Sequence, residues 1–161
     1  MKKKRKKKSG FTTVMEYVFA FSAMFLLFYC GLLYVPKLWG IETLAVTSGS
    51  MEPTISKGSL VFVDTSDKKL EIGKVMTYHA SEDPRSMLVT HRVYEIYPDG
   101  SFKTKGDANQ TVDINIIGPS QIVGADVWTI DKFGYLTSST SIVIIPFAIM
   151  IASGIILAFS D

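Results

Sequence analysis

The chain has 161 residues, 47% of them hydrophobic, which excludes a disordered protein and leaves room for about one domain. Seven of its 17 Lys and Arg residues run from Lys2 to Lys8, so the remainder carries ten basic against 15 acidic groups, a net of −5 that excludes a general nucleic-acid-coating surface. The single cysteine, Cys30, excludes an intramolecular disulfide and a four-cysteine zinc site.

The first predicted element follows the basic run. Tyr17 to Tyr34 holds no charged residue, and with its flanks it reaches the roughly 20 residues that cross a bilayer core. Tyr17, Tyr34 and Trp39 stand near its ends, where amphipathic rings favour the membrane interface. The stretch exceeds the roughly 7–15 apolar residues of a cleavable leader, and Thr43-Leu44-Ala45 is a weak cleavage pattern. An uncleaved signal anchor is expected, in preference to a buried helix of a soluble core. The basic run places its N-terminus in the cytoplasm.

Short β-branched and aromatic runs come next: Leu60 to Val63, Val75 to Tyr78, Met87 to Tyr97, Ser101 to Thr104 and Ile122 to Ile130. Pro98-Asp99-Gly100 reads as a turn between two of them, since Pro presets φ and Gly accepts positive φ. The last element, Ser141 to Phe159, is again uncharged; Pro146 should kink it and Gly154 would admit a neighbouring helix. The expected fold class is therefore mainly β, a small β domain anchored by two transmembrane helices. A basic cytoplasmic tail covers 1–13, a first span 14–38, an extracytoplasmic domain 39–138, a second span 139–159 and a cytoplasmic tail 160–161. The expected location is the plasma membrane, multi-pass, with lipid as a partner and no nucleic acid.

Three segments carry the chemistry: Ser48-Gly49-Ser50-Met51-Glu52-Pro53-Thr54, Thr90-His91-Arg92-Val93, and Lys105-Gly106-Asp107-Ala108-Asn109-Gln110-Thr111-Val112-Asp113. Each has a plain structural reading: a turn, a strand histidine packed in the core, and aspartates capping a loop. The chemical reading is also available. A serine beside glycine exposes its hydroxyl and nearby backbone N–H groups, as an activated nucleophile and oxyanion hole require. Only two histidines exist to serve as its base. His91 lies in an apolar strand pattern, and His79 in a polar, turn-like stretch expected to face solvent. Two histidines and no exported cysteine supply no metal site, and no cofactor is expected.

The three segments, in this order after a basic anchor, resemble the boxes of type I signal peptidases, over roughly residues 14 to 134. SGSMEPT is similar to the serine box. THRV is similar to the histidine box of the endoplasmic-reticulum, archaeal and sporulating-bacterium branch, where histidine replaces lysine. KGDANQTVD resembles the following acidic box. The resemblance implies Ser50 as nucleophile, His91 as general base and Asp113 as its acidic partner, with Asp107 a supporting or alternative acid. It also implies oxyanion assistance from Ser48 beside the Ser50 N–H, and a substrate cleft shaped by Leu60–Val63 and Val75–Tyr78. Ile114 follows Asp113 where relatives often carry a second aspartate. The implied activity is serine endopeptidase cleavage of signal peptides from secreted preproteins, which are then its substrates. Secretion machinery or accessory subunits are the further partners it allows. Two alternatives stay open: a catalytically silent membrane-anchored β module, and a maturation peptidase with few substrates.

Overall fold

The computed structural model describes residues 10–138 and 141–160. The expected basic tail, Lys2 to Lys8, and the final residue, Asp161, lie outside the described residues. The chain divides into two compact units, one helical and one comprising Val35–Ser138.

In the helical unit, α1 covers Gly10–Tyr34 and α3 covers Ser141–Ala158. Thus residues 10–13, expected in the tail, already belong to α1. A 25-residue helix is roughly 37 Å long, more than the ~30 Å of a hydrocarbon core. Among the described residues the stretch Gly10–Trp39 is the one helical segment long and apolar enough to cross a membrane. The second expected span is helical and apolar, but Ile142–Ala158 falls short of that length. Helix α3 runs on through Pro146. It packs against α1. A Cβ added at Gly154 would lie 3.4 Å from the Phe19 ring, so the glycine sets how closely that ring approaches. Buried Ser153 spends its hydroxyl on the carbonyls of Ile149 and Met150, 2.8 and 3.0 Å away, as a polar side chain in an apolar helix must.

The second unit opens with a 3₁₀ turn, Pro36–Trp39, because proline cannot continue the hydrogen-bonding of α1. Gly40, at φ 73°, then redirects the chain. Six antiparallel strands follow: β1 (Ile41–Ala45), β2 (Leu60–Asp64), β3 (Val75–His79), β4 (Leu88–Ile96), β5 (Phe102–Lys105) and β6 (Ile122–Ile130). They form one sheet in the order β1-β2-β6-β3-β4-β5. Strand β1 was not expected. Its Thr43-Leu44-Ala45, which resembles a weak cleavage site, instead pairs with β2, with Ala45 opposite Leu60 and Ile41 opposite Asp64. A short helix, α2 (Tyr135–Ser138), packs on β1 and β2. Between β4 and β5, Gly100 (φ 82°) donates to the Tyr97 carbonyl, and Asp99 accepts from the Ser101 amide and hydroxyl.

Apolar clusters of the described residues hold this unit, two of which bear on the site. One joins Met76, Tyr78, Val93, Phe102, Ile117, Ile122 and Ala125. The other joins Met51, Ile55, Val61 and Val63. Each fully buried large side chain contributes about 1.5–3 kcal/mol. The β2–β6 crossing is tighter than any side chain allows at one point: a Cβ at Gly124 would sit 2.1 Å from the Asp64 carbonyl oxygen. Gly124→Ala is therefore expected to destabilise the chain by about 2–3 kcal/mol, seen as a Tm fall on the order of 10 °C in detergent. An unchanged Tm would show that the strands separate freely there.

Candidate functional site

Ser50 sits in a tight turn just before β2. The Glu52 amide donates to the Gly49 carbonyl at 3.1 Å, and the Ile55 amide to the Met51 carbonyl at 2.9 Å. Met51 and Ile55, each 2% exposed, root the turn in the second apolar cluster. The serine is thus presented by a backbone anchored on both sides of it.

The acidic loop is fitted to this turn from the other side. The Ala108 amide donates to the Ser50 carbonyl at 2.9 Å. A Cβ at Gly106 would stand 2.6 Å from that same carbonyl oxygen, so only glycine permits the approach. This explains the glycine of the Lys105–Asp113 segment physically.

His91 lies on β4 opposite Met76 and is 8% exposed. Its Nε2 is 2.9 Å from Ser50 Oγ and its Nδ1 is 2.6 Å from Asp113 Oδ2. A carboxylate only accepts, so Nδ1 carries the imidazole hydrogen and Nε2 is left to accept the Ser50 proton. Asp113 is placed by its own amide, which donates to the Thr104 carbonyl at 2.9 Å, and by the Thr104 hydroxyl, which donates to Oδ2 at 2.7 Å. Ser48 Oγ lies 3.1 Å from Ser50 Oγ. Of the five residues singled out in the sequence, four form one hydrogen-bonded chain.

Asp107 does something else. It accepts from Arg92 Nε at 2.9 Å and Nη2 at 2.6 Å, a bidentate pair, while Arg92 Nη1 donates to the Gly73 carbonyl at 2.7 Å. The guanidinium holds the Asp107 carboxyl below the usual carboxylate range, and the pairing raises Arg92 in turn. Asp107 therefore braces the loop against β4 and makes no hydrogen bond to His91.

Ser50 and His91 line a cleft of about 540 Å³ whose apolar walls come from Leu44 and Val46 on one side of the chain order and Met87 and Val89 on the other. Of the two segments expected to shape it, Val61 contributes to the lining, whereas Met76 and Tyr78 belong to the core. His79 ends β3 half-buried, with its Nδ1 enclosed rather than in a solvent-facing turn, and is not in the cleft lining. Sequence reasoning missed Arg92 and Thr104. Arg92 was visible as a cation beside His91 with an acidic loop to meet; Thr104 carried only the alternation of a strand.

The chain is similar to several known proteins. It is 41% identical over 83 residues to signal peptidase I W of Bacillus subtilis, covering 48% of this chain and 42% of that protein. It is 33% identical over 104 residues to the signal peptidase complex catalytic subunit SEC11 of Eremothecium gossypii, covering 57% and 61%. The same subunit of Penicillium rubens is 33% identical over 103 residues, covering 57% and 58%. The chain thus spans less than two thirds of the length of these curated relatives. No family model matches it.

Proposed function

We propose that this chain, a relative of the signal peptidases, is a membrane-bound serine endopeptidase of their serine–histidine branch that cleaves signal peptides from exported preproteins. The observation that carries the reading is the Ser50–His91–Asp113 chain, with spacings of 2.9 and 2.6 Å.

The chemistry follows from those contacts. Ser50 Oγ attacks the scissile carbonyl as its proton passes to His91 Nε2, and Asp113 stabilises the imidazolium. The oxyanion is held by the Ser50 N–H and the Ser48 hydroxyl; one such donor is worth about 3–4 kcal/mol. His91 returns the proton to the leaving amine, which departs and leaves an acyl group on Ser50. Water, activated by the same imidazole, releases it.

Specificity rests on the cleft and on location. An extended peptide end fits between the Leu44–Thr47 and Met87–Thr90 segments as an added strand, with alternate side chains turned into apolar pockets. Small residues at the first and third positions before the cut are what the family likeness implies. In the sequence Ser50 follows the first apolar helix by about sixteen residues, which favours cleavage close to the membrane surface. With the basic run cytoplasmic and both apolar helices inserted, the β unit lies outside the plasma membrane. SEC11 is by name a subunit of a complex, which supports accessory partners here too. The intact Ser50–His91–Asp113 chain weighs against a silent surface module.

The direct test is incubation of the detergent-solubilised chain with a labelled preprotein and mass determination of the products. A single cut after the leader is expected; an uncut precursor would sink the reading. Cleavage should also decline as pH falls from 8 to 5, because a protonated imidazole cannot accept the Ser50 proton. A flat profile over that range would point to a different base.

A further inference from the structure

Behind Asp113 a second set of hydrogen bonds leads away from the cleft into the core. Thr104 Oγ1 lies 2.7 Å from Asp113 Oδ2 and 2.7 Å from the Tyr78 hydroxyl. Thr104 is fully buried and Tyr78 is 3% exposed. The Tyr78 ring is held edge-on by Phe102, with centroids 5.8 Å apart and planes at 85°.

The direction of each bond follows from the donors available. The carboxylate has no proton to give, so Thr104 must donate to it. Thr104 has one hydroxyl proton, so Tyr78 must donate to Thr104. Burial pushes the Tyr78 phenol up to about 12, which keeps it a donor throughout the neutral range. Asp113 Oδ2 thus accepts hydrogen bonds from two sides, His91 Nδ1 and Thr104 Oγ1.

We propose that Thr104, backed by Tyr78, is a positioning residue for the base: it fixes Oδ2 of Asp113 at His91 and takes up part of the carboxylate charge. The proposal rests on the serine–histidine reading above. Thr104 touches no reacting atom, so it acts on turnover and on the imidazole and leaves substrate affinity alone. Without its hydroxyl, Oδ2 bears more charge toward the imidazolium, and His91 should hold its proton to higher pH. Among the described residues Asp113 bonds His91, Asp107 acts on it through space, and Arg92 on β4 pairs with Asp107; the variants below keep all three.

The test uses the full chain in detergent micelles with a fluorogenic signal-peptide substrate. It compares wild type with Thr104→Val, Thr104→Ser and Tyr78→Phe, takes Ser50→Ala as the blank, and follows the His91 imidazole by NMR titration. Thr104→Val should lower kcat about tenfold or more with KM unchanged, as loss of a hydrogen bond to a charged group predicts. It should also raise the acidic limb and the His91 titration together by about half a unit. Thr104→Ser should keep both near wild type, and Tyr78→Phe should show a smaller change of the same sign. A Thr104→Val protein with wild-type kcat and titration overturns the proposal, as does a Thr104→Ser protein equally impaired, which would make the methyl group the essential part. A wild type that cuts nothing while its imidazole still responds to Thr104→Val sinks the peptidase reading and leaves the positioning role standing.

Discussion

Ser50→Ala and His91→Ala are each expected to abolish precursor cleavage, by a factor on the order of 10⁴ or more, while leaving the chain folded. Each removes one end of the proton transfer across 2.9 Å. Because the two act as one device, the double variant should be no worse than either single one. The turn around Ser50 is held by backbone bonds and by Met51 and Ile55, none of which uses the hydroxyl. Loss of His91 leaves Asp113 with its Thr104 bonds, so folding persists there too. Product mass analysis and thermal unfolding check the two halves. Substantial turnover in either folded variant would remove these residues from the chemistry.

Asp113→Asn and Asp107→Asn should separate sharply. The first replaces the acceptor of the His91 Nδ1 hydrogen with an amide that favours the wrong tautomer, and should cut kcat by about 10⁴. The second breaks a bidentate pair with Arg92 at 2.9 and 2.6 Å and should act mainly on stability. Its sign with pH follows from the lowered Asp107 pKa. Pairing stabilises the folded chain above the ordinary carboxylate range, and that contribution fades as pH drops through the folded value. Asp107→Asn should therefore be less stable than wild type near neutrality and converge with it below about pH 4. If Asp107→Asn were the inactive variant and Asp113→Asn the active one, the roles assigned to the two carboxylates would be reversed.

Much of the β unit could be read from residue types. Strands β2 to β6 fall on runs where branched and aromatic side chains suit a half-buried pleat, and Pro98-Asp99-Gly100 turns where its backbone preferences require. Strand β1 escaped because five residues with an exposed Glu42, next to a long apolar helix, carry too little alternation to register as a strand. The second expected span is seen as an apolar helix, Ser141–Ala158, packed on α1; an uncharged run signals burial in something apolar and leaves open what covers it. At the site, histidine was legible because the sequence holds only two, and serine and aspartate because they sit in three ordered motifs that resemble a known set. Thr104 and Tyr78 were not, since a threonine sharing a buried face with Phe102 and alternating with lysines looks like ordinary packing until its partners are known.

The contacts at the site join residues 41 and 22 positions apart along the chain. During synthesis Ser50 and His91 are made before the carboxylate, and β6, which lies between β2 and β3, arrives last of the strands. A half-finished polypeptide accordingly has a hydroxyl and an imidazole with no rigid frame to aim one at the other. The sheet can close, and hold one group against the other, only once β6 has been added.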